Sequence, residues 1–284
     1  MSARSILKAI TPPVLLQMRR RLLYDGLRFT EVSTDWTQAL RVSTGYSAAS
    51  IVEQVAAATR EVVAGRALYE RDSVLFYEPD FPYPIATELL RAALANRGRL
   101  HVVDFGGSLG STYRQCRPLL DSVAEVRWQI VEQPAFVSIG QCEFANDELV
   151  FVSTLQELRS SEVPSLVLLS SVLQYLERPE LALTDLLELN ANHLVIDRTP
   201  MSNLPSHRLC IQHAPKSVYE ASYPCWILSR PVLHSILERK GWRVLAEFEN
   251  REGRFVTPNG LEFEFRGLIA ERQRVASCRS AQSL

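Results

Sequence analysis

Hydrophobic positions change their period along the chain. Between residues 46 and 70, Ile51, Val55, Ala58, Val62 and Val63 recur at helical spacing. This predicts a helix with one apolar face and Ser50 as a candidate cap. A second helix is predicted over 85–96, closed by Asn96 and Gly98. The segment 77–84 between them is dense in proline and aromatic residues and reads as a loop. From residue 100 onward, short apolar runs alternate with helical stretches. Strands are predicted at 100–105, 127–131, 149–152, 165–170, 193–197, 242–248 and 261–270, with helices near 111–121, 134–144, 179–190 and 229–240. The last helix is fully punctuated, with Ser229 as N-cap, Pro231 in the first turn and Gly241 at the end.

Strands that alternate with helices predict an α/β domain whose seven-stranded, mostly parallel sheet is covered on both faces. The last two strands have no helix between them, only a turn-rich link (Glu252-Gly253 and Pro258-Asn-Gly260), so the sheet is expected to end in an antiparallel hairpin. The predicted organisation is an N-terminal helical extension or lid over 1–84, the α/β domain over 85–271 and a disordered tail over 272–284.

Composition narrows the classes. The chain of 284 residues is 46% hydrophobic and 22% charged, with net charge −1 and both signs interspersed. Nucleic acid is therefore not an expected partner. Five scattered cysteines without a CxxC pair argue against a disulfide framework or zinc site, and a reducing, cytoplasmic compartment is expected. Residues 1–24 carry Arg4, Lys8, Arg19, Arg20 and Arg21, no acid, and interleaved large aliphatics. Pro12-Pro13 splits them into two short amphipathic segments, unlike a signal peptide. Two readings follow: a helix packed on the domain with a solvated basic face, or peripheral contact with an anionic membrane, here the inner membrane.

The strongest chemical motif runs from Val102 to Ser111 (Val-Val-Asp-Phe-Gly-Gly-Ser-Leu-Gly-Ser). It leaves a strand and enters a helix, the context in which a glycine loop forms a ligand crevice. Two cofactors suit such a loop. A dinucleotide requires the spacing GxGxxG, which Gly106, Gly107 and Gly110 do not provide. The loop instead resembles the methyltransferase pattern acid-x-Gly-x-Gly-x-Gly, with Asp104, Gly106 and Gly110 in place and Ser108 at the middle glycine. Glu132 lies 22 residues beyond Gly110, just past the next strand, where an acid accepts hydrogen bonds from ribose hydroxyls. That spacing serves NAD and S-adenosylmethionine alike.

The segments Tyr69–Phe76, Asp104–Ser111, Val131–Pro134, Leu169–Leu176, Ile196–Pro200 and Ala221–Pro224 together resemble a bacterial family of methyltransferases whose genes often lie among those for surface polysaccharide synthesis. The resemblance runs from about Ile6 to Ala270. It implies a Rossmann-like class I methyltransferase fold and S-adenosyl-L-methionine as cofactor, held by Asp104, Gly106, Gly107, Ser108, Gly110, Glu132, Gln133 and Ser170. In that fold the end of the fourth strand borders the acceptor, which brings in Gln174 and Tyr175. The gene context implies a glycan or lipid-linked sugar acceptor.

Beyond the fifth strand, Asp197-Arg198-Thr199-Pro200 opens a predicted loop reaching about Tyr223. An unactivated hydroxyl benefits from a general base, so His207 is the first candidate and His213 the second, with Asp197 as base or as the orienter of a histidine. Arg198 and Arg208 are candidate clamps for an anionic acceptor, and Tyr223 a further contact. A structural ion pair between Asp197 and either arginine is the alternative. No histidine–carboxylate cluster has metal-ligand spacing, so no metal is expected. Two other readings stay open at this point: an NAD-dependent oxidoreductase, and a non-catalytic binding protein on the same fold.

Overall fold

A computed structural model of the chain describes residues 27–32, 35–44, 48–158, 163–214 and 221–273. Residues 1–24, the proposed membrane contact, and all of the tail beyond Gln273 lie outside the described part. In chain order the elements are β1 (Arg28–Glu31), α1 (Trp36–Val42), α2 (Ala48–Val63), β2 (Tyr69–Arg71), β3 (Val74–Phe76), α3 (Tyr83–Ala95), β4 (Arg99–Phe105), α4 (Ser111–Cys116), β5 (Glu125–Val131), α5 (Pro134–Ile139), β6 (Leu149–Val152), β7 (Leu166–Ser170), α6 (Pro179–Leu187), β8 (His193–Ser202), β9 (Arg208–His213), β10 (Ser222–Ser229), α7 (Arg230–Arg239), β11 (Trp242–Val256) and β12 (Glu262–Arg272).

The central sheet has the order β6-β5-β4-β7-β8-β12-β11. It is parallel from β6 through β8, and β12 runs antiparallel to both β8 and β11. The predicted seven strands and terminal hairpin are thus all present. The central strands are apolar nearly throughout because helices cover both faces. One core gathers Leu89, Leu100, Trp128 and Leu149, the other Leu169, Leu186, Leu228 and Leu237. β4 pairs with β5 on one edge and β7 on the other, so the chain changes direction at β4 and leaves a crevice at its carboxyl end. Helix α7 starts as its residues dictate, since Ser229 Oγ accepts the Val232 N–H at 3.3 Å.

Two regions differ from expectation. The helix predicted over 46–70 stops at Val63, before Gly65 at φ +70°. Residues 69–76 form a β-hairpin instead, turned by Asp72 (φ +51°) and Ser73 (φ +66°). Two successive left-handed residues match the twist of a two-residue hairpin turn. The second region is the predicted loop after Asp197. Here β8 continues to Ser202, and β9 and β10 pair antiparallel, with β1 added along β9. Leu228 and Ser229 of β10 pair with Met201 and Ser202 of β8, past the point where β7 ends opposite Asp197. Met201 is taken on its other side by Glu264 of β12, so β10 occupies the edge β7 has vacated. The strip β10-β9-β1 thereby stands beyond the carboxyl end of β7. The N-terminal extension is therefore not helical throughout, because β1 belongs to this strip.

Candidate functional site

A cavity of about 520 Å³ opens at the carboxyl ends of β4 and β7. Its floor is the loop after β4 with Glu132 and Ser170. Its walls are formed by α1, α2, the β2–β3 hairpin, Tyr175, Gln212 and Tyr223. A larger cavity of about 720 Å³ lies at the opposite ends of the strands, around Ser165 and His193, and contains none of the cofactor, acceptor or catalytic candidates named from the sequence.

The glycine loop is built for close approach. A Cβ on Gly106, at φ +74°, would lie 2.4 Å from Val172 Cγ2. A Cβ on Gly107 would lie 2.5 Å from the Asp104 carboxyl carbon. Gly110 has φ +92° and caps α4 in the left-handed region. Ser108, where the pattern has glycine, still adopts the glycine conformation at φ +54°. Its departure is therefore one of residue type and leaves the loop's path intact, at the strain cost that a left-handed non-glycine carries.

Glu132 faces this loop from the end of β5. Its Oε1 accepts the Ser108 N–H at 3.3 Å and its Oε2 the Gln133 N–H at 2.6 Å. Burial raises its pKa, and those two backbone donors oppose the shift. A carboxylate has about four lone-pair positions, so capacity for ribose hydroxyls remains. Beneath the loop, Asp104 is 1% exposed. Trp128 Nε1 donates to its Oδ2 at 3.0 Å, and Oδ1 has no partner. Burial pushes its carboxyl up to about 7, against the Trp128 hydrogen bond and with the help of the nearby Glu132 charge. A side chain so placed supports the turn from below, with the Gly107 backbone packed directly on it.

The remaining sequence candidates divide. Ser170, Tyr175, Arg198 and Tyr223 line the cavity, as do Gln133 and the loop residues Gly106, Gly107 and Ser108. Ser170 Oγ also donates to Asp197 Oδ2 at 2.9 Å. Gln174 does not reach the cavity. It is fully buried, and its Nε2 donates to Ser171 Oγ and the Arg198 carbonyl, tying β7 to β8.

The proposed catalytic set does not assemble. Asp197 has both oxygens engaged, by Ser170 and by Asn250 Nδ2 at 2.8 Å, and touches no histidine. His207 Nδ1 accepts the Ser229 N–H at 2.8 Å, and its Nε2 lies 3.3 Å from Glu180. His213 Nε2 meets Thr30 Oγ1 at 3.1 Å on the β1 side of β9. Neither histidine lines the cavity, and neither does Arg208, which is exposed at the start of β9. The reason is that the presumed loop is largely a strand pair, which leaves the two histidines in structural contacts and Arg208 exposed. The alternative reading, an ion pair of Asp197 with Arg198 or Arg208, is not what forms either. Arg198 donates instead to Glu252 Oε1 at 2.8 Å and Asp72 Oδ2 at 2.7 Å.

Several cavity residues were not anticipated. Glu70 on β2 is buried, accepts the Ser73 N–H and the Ser111 hydroxyl, and has its pKa raised by burial. Gln212 on β9 is 4% exposed and linked to both tyrosines. Trp36 of α1 stacks on Trp226 of β10, centroids 6.1 Å apart, which docks the helix over the added strip. The signal that would have located Gln212 is the apolar run Leu209-Cys210-Ile211 before it, a strand pattern between polar ends.

With this strand order, its antiparallel terminal hairpin and a glycine loop at the switch point, the protein is an α/β domain of Rossmann-like class I methyltransferase fold. No family model matches the sequence, and no curated protein matches it. Among solved structures it is similar to a Burkholderia thailandensis 1,6-didemethyltoxoflavin-N1-methyltransferase with bound S-adenosylhomocysteine, at 15% identity and TM-score 0.42, covering 87% of this chain and 95% of that one. It is also similar to the N-terminal domain of EvdMO1 with S-adenosylhomocysteine and D-fucose, at 13% identity and TM-score 0.46, covering 78% and 97%. A third is CalS10, an amino pentose methyltransferase from Micromonospora echinaspora, at 12% identity and TM-score 0.42, covering 67% and 89%. Likenesses of this degree leave ligand and reaction to be argued from the cavity.

Proposed function

We propose that this chain is an S-adenosylmethionine-dependent methyltransferase acting on a hydroxyl of a glycan or glycan precursor. The observation that carries the cofactor is the pairing of Glu132 with the glycine loop. A half-buried carboxylate faces a backbone that has no room for side chains at Gly106 and Gly107. That is a nucleoside cradle. The position of Glu70 favours this cofactor over a dinucleotide. Its buried carboxyl group is bonded to Ser111, the first residue of α4. A dinucleotide would aim its pyrophosphate at that helix start, where the Glu70 carboxyl group already takes up the Ser111 hydroxyl.

Bound S-adenosylmethionine supplies a methyl group already activated on a sulfonium centre. The tasks left to this chain are holding the cofactor, excluding water and placing the acceptor oxygen in line, and placement alone supplies much of the rate. Glu132 and the loop hold the nucleoside. The hairpin, α1 and α2 cover the crevice, which supports the lid role of the N-terminal extension. Tyr175, Gln212 and Tyr223 face the acceptor side. With both loop histidines engaged elsewhere, this proposal assigns no histidine base. A lipid-linked acceptor would bring residues 1–24 against an anionic surface, and no described helix is long and apolar enough to cross a membrane.

Calorimetry tests the cofactor. S-adenosylhomocysteine is expected to bind and NAD not to, and Glu132→Ala to weaken binding by about 1–3 kcal/mol, the scale of hydrogen bonds to a charged group. Tighter binding of NAD, or unchanged affinity in a folded Glu132→Ala protein, sinks this reading.

A further inference from the structure

We propose that the acceptor side of the cavity takes an uncharged, ring-bearing alcohol, and that Gln212 is the residue that orients it. This inference rests on the methyltransferase reading and adds the chemical class of the acceptor.

Charge excludes an anion. Among the described residues the cavity is lined by two guanidinium groups, Arg71 and Arg198. Arg198 is neutralised by Asp72 and by Glu252, whose side chain is 5% exposed. Arg71 donates to Gln115 at 3.2 Å, lies over the Tyr69 ring and has the Asp72 charge beside it, so the two guanidinium groups are balanced by the two carboxylates Asp72 and Glu252. The other carboxyl groups, Glu70, Asp104 and Glu132, cluster around the cofactor loop. A phosphate or carboxylate on the acceptor would lose its water and meet no uncompensated cation, a cost that discriminates against it.

Shape and polarity favour a ring. Trp36, Phe76, Tyr175, Tyr223 and Phe265 line the cavity, and aromatic faces bury the flat apolar side of a sugar or phenol. Within that wall stands one buried amide with a fixed orientation. Tyr175 donates its hydroxyl to Gln212 Oε1 at 3.2 Å, and Gln212 Nε2 donates to Tyr223 Oη at 2.9 Å. The tyrosine rings meet edge to face, centroids 5.2 Å apart. The two contacts hold the amide from both ends. A primary amide nitrogen has two hydrogens. One goes to Tyr223, and the second has no partner among the described residues. An uncharged hydroxyl oxygen is the complement of that donor.

The test uses the full chain loaded with S-adenosylhomocysteine and two matched probe pairs: methyl α-D-glucopyranoside against glucose 1-phosphate, and phenol against phenyl phosphate. Binding is read by ligand-observed NMR. In at least one pair the uncharged member should bind about tenfold more tightly than its phosphorylated partner. Gln212→Leu should weaken that probe about fivefold or more, with S-adenosylhomocysteine affinity retained as the check on folding. Asp72→Asn combined with Glu252→Gln removes two carboxylates from Arg198 and should raise phosphorylated-probe affinity about fivefold. Equal or tighter binding of the phosphorylated probes, failure of both uncharged probes, or unchanged probe affinity in Gln212→Leu overturns the proposal and leaves the cofactor reading intact. Failure of the wild-type protein to bind S-adenosylhomocysteine overturns the cofactor reading and this inference with it.

Discussion

Trp128 on β5 donates its indole N–H to Asp104 Oδ2 on β4 across 3.0 Å, while Asp104 Oδ1 is buried without a partner. A buried carboxyl group with half its accepting capacity unused prefers to stay protonated, and burial lifts its pKa from 3.8 to about 7. The unfolded chain releases this proton near pH 4, whereas the folded chain keeps it to about neutrality. Between those values the folded state binds more protons, so this group's contribution to stability is full in acid and is lost as pH rises through 7. Asp104→Asn preserves an acceptor for Trp128 and removes the titration. From pH 5 to pH 8 the wild-type protein should lose about 2–3 kcal/mol more stability than the variant, at about 1.4 kcal/mol per pH unit up to pH 7 and little beyond it. Denaturant unfolding at both pH values measures it, and parallel losses in the two proteins would remove the buried acid as the cause.

The contact between Gly106 and Val172 makes a second, separable prediction. A methyl group on Gly106 would be driven into Val172 Cγ2, and the residue would be held at φ +74°. Gly106→Ala should cost about 1–3 kcal/mol from overpacking and strain together. Trimming the neighbour relieves the first of these and not the second. Gly106→Ala with Val172→Ala should therefore recover part of the loss relative to the sum of the two single variants. A thermal-unfolding double-mutant cycle with no coupling between the two positions would refute the packing account.

The β4 strand and the glycine loop were legible because buried parallel strands are written in continuous apolar residues and left-handed backbone is written in glycine. Glu132 was legible from its distance along the chain. The hairpin at Tyr69–Phe76 was not, because its left-handed turn uses Asp72 and Ser73, with no glycine to mark it. The strip formed by β9 and β10 was missed for a different reason. His207 just before β9, and Arg208 and His213 within it, drew a functional reading, yet their placement follows from the pairing of β9 and β10 with β1 and β8. Gln212 acquires its role only from Tyr175, 37 residues away, and Tyr223 across the ladder. No local pattern encodes such a tertiary relationship.

His207 supplies the test of that correction. Its Nδ1 accepts the backbone N–H of Ser229, the N-cap residue of α7, and its ring lies edge-on to Trp226 at 6.3 Å. His207→Ala leaves that part-buried N–H without its acceptor. The expected cost is about 1–3 kcal/mol in stability. S-adenosylhomocysteine affinity and turnover per folded molecule should be retained. Calorimetry and a methyl-transfer assay below the variant's melting range check both parts. Collapse of turnover in folded protein would restore the histidine as a base.

The last prediction concerns the roof of the crevice. Asp72 sits in the turn of the β2–β3 hairpin, and Arg198 midway along β8 reaches it at 2.7 Å while also holding Glu252 of β11. Arg198 itself adopts φ +51°, with its N–H donated to Asn250 Oδ1. The guanidinium is thus anchored on the sheet, and Asp72 is the hairpin-side partner whose side chain is more than half exposed. An ion pair with one exposed member contributes about 0.2–1 kcal/mol. If the hairpin must lift for the cofactor to leave, Asp72→Asn should speed release of S-adenosylhomocysteine by about 1.5- to 5-fold, the rate equivalent of that energy. Added salt should speed release from the wild-type protein and have little effect on the variant, because screening acts on the pair already removed. Stopped-flow displacement at low and high salt separates the outcomes, and identical release rates for the two proteins at low salt would show that this pair does not hold the hairpin shut.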